Sequence, residues 1–161
     1  MPLIRPHATG DLPAIAQIYF DAVHTGTAAP YDADQRRAWA GEAPRPDKWR
    51  ARLQGMTVFV AEEAGVVTGF MSIDATDFLD LAFVAPRAAG RGVGGALYSH
   101  VEAVARDLGA TRLHGEISLA ARAFLERRGW RVIRRQSIRR AGVCLTNFQM
   151  EKPLVPPGAR A

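Results

Sequence analysis

At 161 residues the chain fits one domain built on a single core. It is 48% hydrophobic and 23% charged, an ordinary globular composition. It has no apolar run near the roughly 18 residues that cross a bilayer, and no signal peptide in Met1-Pro2-Leu3-Ile4-Arg5, so a cytoplasmic protein is expected.

The net charge of +5 comes mainly from arginines scattered along the chain, without a basic arm or an aromatic-interleaved stripe, which argues against a nucleic-acid partner. The single Cys144 excludes an internal disulfide or a multi-cysteine metal site, and no His or carboxylate spacing points to a metal.

Leu3-Ile4-Arg5-Pro6 reads as a short first strand ended by its proline. A helix is expected from about Leu12 to Val23, with Leu12, Ile15, Ile18 and Tyr19 at helical spacing and Thr9 or Asp11 as cap. Two shorter helices follow, Asp32 to Ala40 and Asp47 to Leu53, and this helical region is the natural wall for a second substrate. Strands at residues 57–61 and 66–73 join through Glu63-Ala64-Gly65 as a hairpin. Next come a strand within Asp77 to Val84 and a helix over Val93 to Leu108, whose core stripe is Leu97, Val101, Val104 and Leu108. Thr111 to Ser118 is expected to return as a parallel strand, followed by a short helix ending at Gly129. A final hairpin pairs Trp130 to Ile138 with Val143 to Met150. Residues 1–152 form the domain, and the tail from Pro153 to Ala161 is expected to fray. The last strand is read as a pairing edge through which two copies could form a homodimer, and Arg134-Arg135 and Arg139-Arg140 as a solvated strand face.

The stretch around which the rest is organised runs from Asp80 to Leu97, DLAFVAPRAAGRGVGGAL. A buried apolar strand stops at Pro86, and Gly90, Gly92, Gly94 and Gly95 lead into the helix. Such glycines let successive N–H groups turn inward on an anion at the positive end of a helix, and a pyrophosphate fits that description. Gly90 to Gly95 also matches G-x-G-x-x-G, with Glu116 roughly where a ribose-binding acid would stand. Ala85 to Ala89 intervene between strand and glycines, however, and the chain ends in a hairpin instead of a further βαβ unit, both contrary to a dinucleotide fold.

The order Val84-x-Pro86, short spacer, Gly90-Arg91-Gly92-Val93-Gly94, then Ala96-Leu97 resembles motif A of the GNAT superfamily of acyl-CoA N-acyltransferases. The ending ARAFLERRGW with RRAGVCLTNFQMEKPL is similar to its YafP-like bacterial branch. The resemblance implies an α/β fold with a mixed sheet of six to seven strands and flanking helices. It implies acetyl-CoA as acyl donor and transfer of the acetyl group to an amino group of a small molecule or a protein. On it, the backbones of Phe83 and Val84 bond the pantetheine arm, and the strand that carries them splays from its neighbour to admit that arm. The amides of Arg91, Gly92, Val93, Gly94 and Gly95 hold the pyrophosphate, while Ser118 and Phe124 flank the cofactor. Two positions depart from the family pattern. Ala89 stands where Arg or Gln opens the loop motif, with Arg87 as a substitute charge, and Leu125 stands where many members carry a tyrosine that protonates the leaving thiolate.

Acyl transfer to an amine needs a base, a polarised carbonyl and a proton source for the sulfur. Asp80, on the cofactor strand, is the first candidate base, read as a carboxylate in apolar surroundings, and pairing with an arginine is the alternative. Glu116 is the second. His24, Tyr31 and Trp39 are assigned to the acceptor pocket, and Tyr98 to the core. Cys144 is expected to be buried among apolar groups. A non-catalytic acyl-CoA binding domain is the alternative function.

Overall fold

The computed structural model describes residues 1–154. The elements run β1 (Leu3–Pro6), α1 (Leu12–His24), α2 (Ala33–Ala40), α3 (Pro46–Arg52), β2 (Thr57–Glu63), β3 (Val66–Ile73), β4 (Leu79–Val84), α4 (Val93–Asp107), β5 (Arg112–Ser118), α5 (Arg122–Glu126), β6 (Arg131–Arg140) and β7 (Val143–Pro153). Among the described residues no helix is long and apolar enough to cross a membrane.

The strands form two antiparallel sheets in the orders β1-β2-β3-β4 and β5-β7-β6. β5 returns parallel to β4 as expected, but its ladder is made with β7 and not with β4. Alongside β4 it meets the chain at one bridge, Phe78 to His114, where the His114 N–H donates to the Asp77 carbonyl at 3.2 Å. A Cβ on Gly115 would lie 2.9 Å from the Leu79 carbonyl oxygen, so the glycine permits this close backbone approach. Beyond it the two strands part.

Local chemistry explains most element ends. In α2 the Asp32 carboxylate accepts from the Gln35 N–H at 2.8 Å while the Gln35 side chain accepts from the Asp32 N–H at 2.9 Å, a reciprocal cap. Helices α1 and α3 each start with a proline in the first turn. The hairpins close through Ala64-Gly65 and Ala141-Gly142, all four at positive φ as two-residue turns between twisted strands require. Arg5 on β1 donates to Asp11 at 2.8 and 3.0 Å and to Glu62 on β2 at 2.7 Å, pinning the start of α1 to the sheet.

The core is shared by both sheets and the helices packed on them, with Ile15, Phe70, Leu97, Tyr98, Leu113 and Met150 fully buried. On α4 the buried stripe is Val93, Leu97, Tyr98, Val101 and Ala105. Val104 is only partly buried, and Leu108, expected in the core, is 80% exposed because the helix ends one residue earlier and the chain turns outward. Tyr98 belongs to the core as expected, its hydroxyl accepting from the Trp130 indole N–H at 2.8 Å.

Three further expectations change. β7 lies between β5 and β6, so the last strand is no free edge. Pro153 still pairs with Arg112, and Leu154 is buried with its N–H donating to the Thr111 carbonyl at 2.8 Å, so the chain is structured past the point where fraying was expected. The rest of that expected tail, residues 155–161, lies outside the described residues. Cys144 is exposed, because strand alternation on β7 sends Leu145 inward instead.

Candidate active site

Three features meet along β4. The first is the glycine loop at its C-terminal end. Gly90 and Gly92 sit at φ +77° and +81°, and Gly92 is the left-handed N-cap from which the 15-residue α4 departs. No side chain caps that helix, so the amides of its first turn face outward at the positive end of the dipole. A Cβ at Gly90 or Gly92 would meet nothing within 4 Å, so the space in front of the loop is open. On the inner side the loop is closed: a Cβ at Gly94 would lie 3.5 Å from the Phe124 ring, and one at Gly95 only 2.9 Å from the Arg128 guanidinium. The loop therefore fits an extended anionic group laid across its mouth.

The charges near the loop differ from the expected ones. Arg91 turns away to pair with Glu63 at 2.9 Å, leaving only its backbone to the loop. Arg87, suggested as the replacement for the charge missing at Ala89, donates instead to the Val67 carbonyl at 3.2 Å. The cation beside the helix entrance is Arg128, whose guanidinium stacks 3.6 Å from the centre of the Phe124 ring and donates to the Phe124 carbonyl at 3.1 Å. The reading of Phe124 as a flanking group did not extend to Arg128, four residues on.

The second feature is the parting of β4 and β5. Ala85 donates to the Thr68 carbonyl at 2.8 Å, and the β3 pairing continues through Phe83–Phe70. By strand alternation the peptide groups of Ala85 and Phe83 turn toward β3, whereas those of Val84 and Ala82 turn toward the gap. Of the two backbones assigned to the pantetheine arm, Val84 thus presents its amide to the gap. Phe83 contributes its ring instead, packed 4.9 Å from Tyr19 and 5.7 Å from Phe70, centre to centre. Ser118 stands at the end of β5 with its hydroxyl accepting from the Ala121 N–H at 3.1 Å.

The third feature is a cavity of about 110 Å³ on the other side of Phe83, lined by Tyr19, Tyr31, Trp39, Arg52, Asp80, Phe83 and Ser118 and by Ile138, Arg140, Leu145 and Asn147 of the last hairpin. Asp80 lies 2.6 Å from an Arg52 nitrogen, so its surroundings are charge-paired rather than apolar. The Tyr31 hydroxyl donates to the Thr146 carbonyl at 2.6 Å and accepts from the Leu119 N–H at 3.0 Å, tying the α1–α2 connection to both β5 and β7. Burial pushes its pKa up, so it is an anchored wall. The Tyr19 hydroxyl makes a long bond of 3.3 Å to the Trp39 carbonyl and also interacts with the Arg140 side chain. Its pKa is raised by burial, against the opposing pull of the Arg140 and Arg52 charges.

A larger cavity of about 870 Å³ between α1, α3 and the 40–45 loop shares Tyr19 and Arg52 with the first. The structure brings Asp80, Tyr31 and Trp39 together as expected, but not His24 or Glu116. His24 bonds the Gly41 carbonyl at 2.8 Å and packs on Phe20, away from the cavity lining. Glu116 is exposed on β5, outside that lining. Tyr19, Arg52, Arg140 and Asn147 are the lining groups that sequence reasoning did not single out. Among the described residues no group of three His, Cys, Asp or Glu side chains could hold a metal ion.

The acetyltransferase (GNAT) domain family matches residues 27–152. The chain belongs to the GNAT acetyltransferase family. It is 29% identical over 147 residues to the uncharacterised N-acetyltransferase YafP of Escherichia coli K12, spanning 91% of this chain and 93% of that protein. It superposes with a TM-score of 0.90 on the crystal structure of a GCN5-related N-acetyltransferase from Rhodopseudomonas palustris, at 33% identity and 96% coverage of both chains. The fold is shared, at 24% identity and a TM-score of 0.73, with yncA of Salmonella typhimurium, a putative acetyltransferase solved with acetyl-CoA, covering 100% of this chain and 98% of that one.

Membership in GNAT makes the protein an acyltransferase whose family uses acetyl-CoA as acyl donor, and it excludes the dinucleotide reading of the glycine loop. Leu125 is 3% exposed and packs in the core, so no hydroxyl replaces the family's tyrosine at that position.

Proposed function

We propose that the protein transfers the acetyl group of acetyl-CoA by direct attack of an acceptor amine held in the cavity beside Asp80. The observation that carries this reading is the placement along one strand. β4 runs past the cavity at Asp80, offers the Val84 amide to the gap, and leads into the open glycine loop. Bound acetyl-CoA supplies an activated thioester carbonyl. The loop amides from Arg91 to Gly95 bind its pyrophosphate, and Phe124 lines the gap beside Val84. The Val84 N–H donates to the carbonyl oxygen, where negative charge grows during attack.

Asp80 is the carboxylate that accepts the proton of the incoming ammonium, directly or through water, and Arg52 holds it in place. Glu116 stands outside the cavity, so the role falls to Asp80. The N–C bond forms as the C–S bond breaks, and the sulfur takes its proton from water. A thiol pKa of about 8.5 makes a dedicated acid dispensable, in keeping with Leu125. On this reading the enzyme works in the cytoplasm, where the exposed Cys144 stays reduced.

The test is thiol release from acetyl-CoA across an amine panel, with mass spectrometry of the product. Acceptor-dependent release with one acetyl group gained on nitrogen is expected. Release that is indifferent to every amine, in a protein that binds acetyl-CoA, would refute the transfer reading.

A further inference from the structure

Resting on the acyl-transfer reading, the polar groups of the small cavity specify what the acceptor must carry besides its amine. Two buried oxygens there have no hydrogen-bond donor. One is Asp80 Oδ2, close to Arg52 but not aligned for a hydrogen bond with it, and the other is Asn147 Oδ1, in a residue only 8% exposed. Buried acceptors are normally satisfied; the Asp80 oxygen has its countercharge in Arg52 at 2.6 Å, whereas the Asn147 oxygen has no partner and marks a place where a donor belongs. Arg140, at the end of β6, lines the same space and has no acidic partner among the described residues, whereas the charge of Arg52 is matched by Asp80. A carboxylate, an amide oxygen without a partner and a cation without an acidic partner around a single small cavity complement one ligand chemistry. That ligand has N–H donors on one atom and an anion a few bonds away.

We propose that the acceptor is a free amino acid or a close analogue, its amino group held by Asp80 and Asn147 and its carboxylate by Arg140. Guanidinium is suited to the last task because it meets a carboxylate with two parallel N–H bonds. Polyamines bring additional cations to a site that already holds an unmatched one. The α-amine of a protein terminus brings a peptide group where a carboxylate is required. The adjoining larger cavity, which shares Tyr19 and Arg52, leaves room for the side chain. The products are the N-acetyl amino acid and free coenzyme A. The N–C bond forms, the thioester C–S bond breaks, and of the two protons lost by the ammonium one matches the proton gained by sulfur and the other passes through Asp80 to solvent.

The experiment uses the full chain and measures thiol release from acetyl-CoA with the common L-amino acids, each beside its carboxamide and its decarboxylated amine. Acetyl-CoA affinity is measured separately by titration calorimetry. Wild type is compared with Arg140→Ala, Arg140→Lys and Asn147→Leu, and Arg140 is an exposed strand-end residue whose removal spares the core. For at least one amino acid, kcat/KM is expected to exceed that of both neutral-ended analogues by about 10- to 100-fold. Arg140→Ala should erase most of that ratio through KM, Arg140→Lys should restore part of it, and Asn147→Leu should weaken all amines alike. Acetyl-CoA affinity should stay unchanged in all three variants. If acetyl-CoA binds but no amino acid is favoured over its carboxamide, or if the preference survives Arg140→Ala, the amino-acid assignment is overturned while acyl transfer stands. If acetyl-CoA does not bind, the acyl-transfer reading fails first.

Discussion

Replacing Gly92 by glutamate and, separately, by alanine tests the glycine loop in a way that separates charge from backbone strain. Gly92 sits at φ +81°, and a Cβ there meets nothing within 4 Å, so both side chains start into open space. Both substitutions carry the cost of a left-handed L-residue, about 1–2 kcal/mol of stability. The glutamate recovers about 0.3–1 kcal/mol by placing its charge at the helix N-terminus. Binding should respond differently. At an effective dielectric of about 40 and a separation of ~5 Å, the new carboxylate repels each pyrophosphate charge by about 1.7 kcal/mol, hence ~3 kcal/mol for two. That is on the order of a 100-fold loss of affinity. Isothermal titration with coenzyme A at low ionic strength should show this loss for Gly92→Glu, partly relieved by salt, and a change within about threefold for Gly92→Ala, which leaves the amides in place. Equal affinity for wild type and Gly92→Glu would refute the anion cradle. Equal losses in the two variants would show that conformation, and not charge, governs the loop.

Asp80→Asn should lower kcat/KM by about 100-fold or more if the carboxylate takes the amine's proton, with coenzyme A affinity unchanged. Steady-state kinetics beside calorimetry decides this, and an active Asp80→Asn would remove Asp80 from the chemistry. Tyr31→Phe leaves the Leu119 N–H and the Thr146 carbonyl without their partner. It should cost about 1–3 kcal/mol, read as a lower melting temperature. Gly115→Ala places a Cβ 2.9 Å from the Leu79 carbonyl oxygen. It should destabilise by about 1–3 kcal/mol, and an unchanged melting temperature would mean that β5 moves freely away from β4. The Asp11 carboxyl is held below its usual range chiefly by hydrogen bonds from Arg5. Because its folded pKa is depressed, its contribution is present above the unfolded value of about 4 and is lost as pH falls through the folded value. Denaturant melts of wild type and Asp11→Asn should therefore differ at neutral pH and converge in acid. A gap that stays constant with pH would assign the effect to packing.

What could be read from the sequence was what lies close together along it. The glycine loop is contiguous, so the strand stop at Pro86, the four glycines and the onset of α4 could be recognised before any fold was known. Element order followed from periodicity for the same reason. The pairing of strands is a different kind of fact. β5 was expected beside β4 because a strand, helix and strand in succession favour a parallel crossover, yet β7 returns to pair with β5 along its length, and β4 keeps a free edge. That free edge is the gap, the splay that the family resemblance implied and that periodicity alone does not show. The small cavity was the least legible part. Its polar groups come from α1, the α1–α2 connection, α3, β4, β5, β6 and β7, and no spacing in the chain connects Tyr19, Arg52, Asp80, Arg140 and Asn147. Asp80 was found because it shares a strand with the loop, and Tyr31 and Trp39 because they lie in the helical wall. Arg140 was read as solvated, since a strand-end arginine gives no local sign of what it faces, and Asn147 is one asparagine in an alternating strand until its orphaned oxygen is seen. On the proposed reading, donor binding is encoded mainly in one segment, whereas acceptor choice is distributed over several. Substitutions at the cavity can then change the acceptor without disturbing the cradle, and Arg140 and Asn147 are the positions at which that separation should be sought.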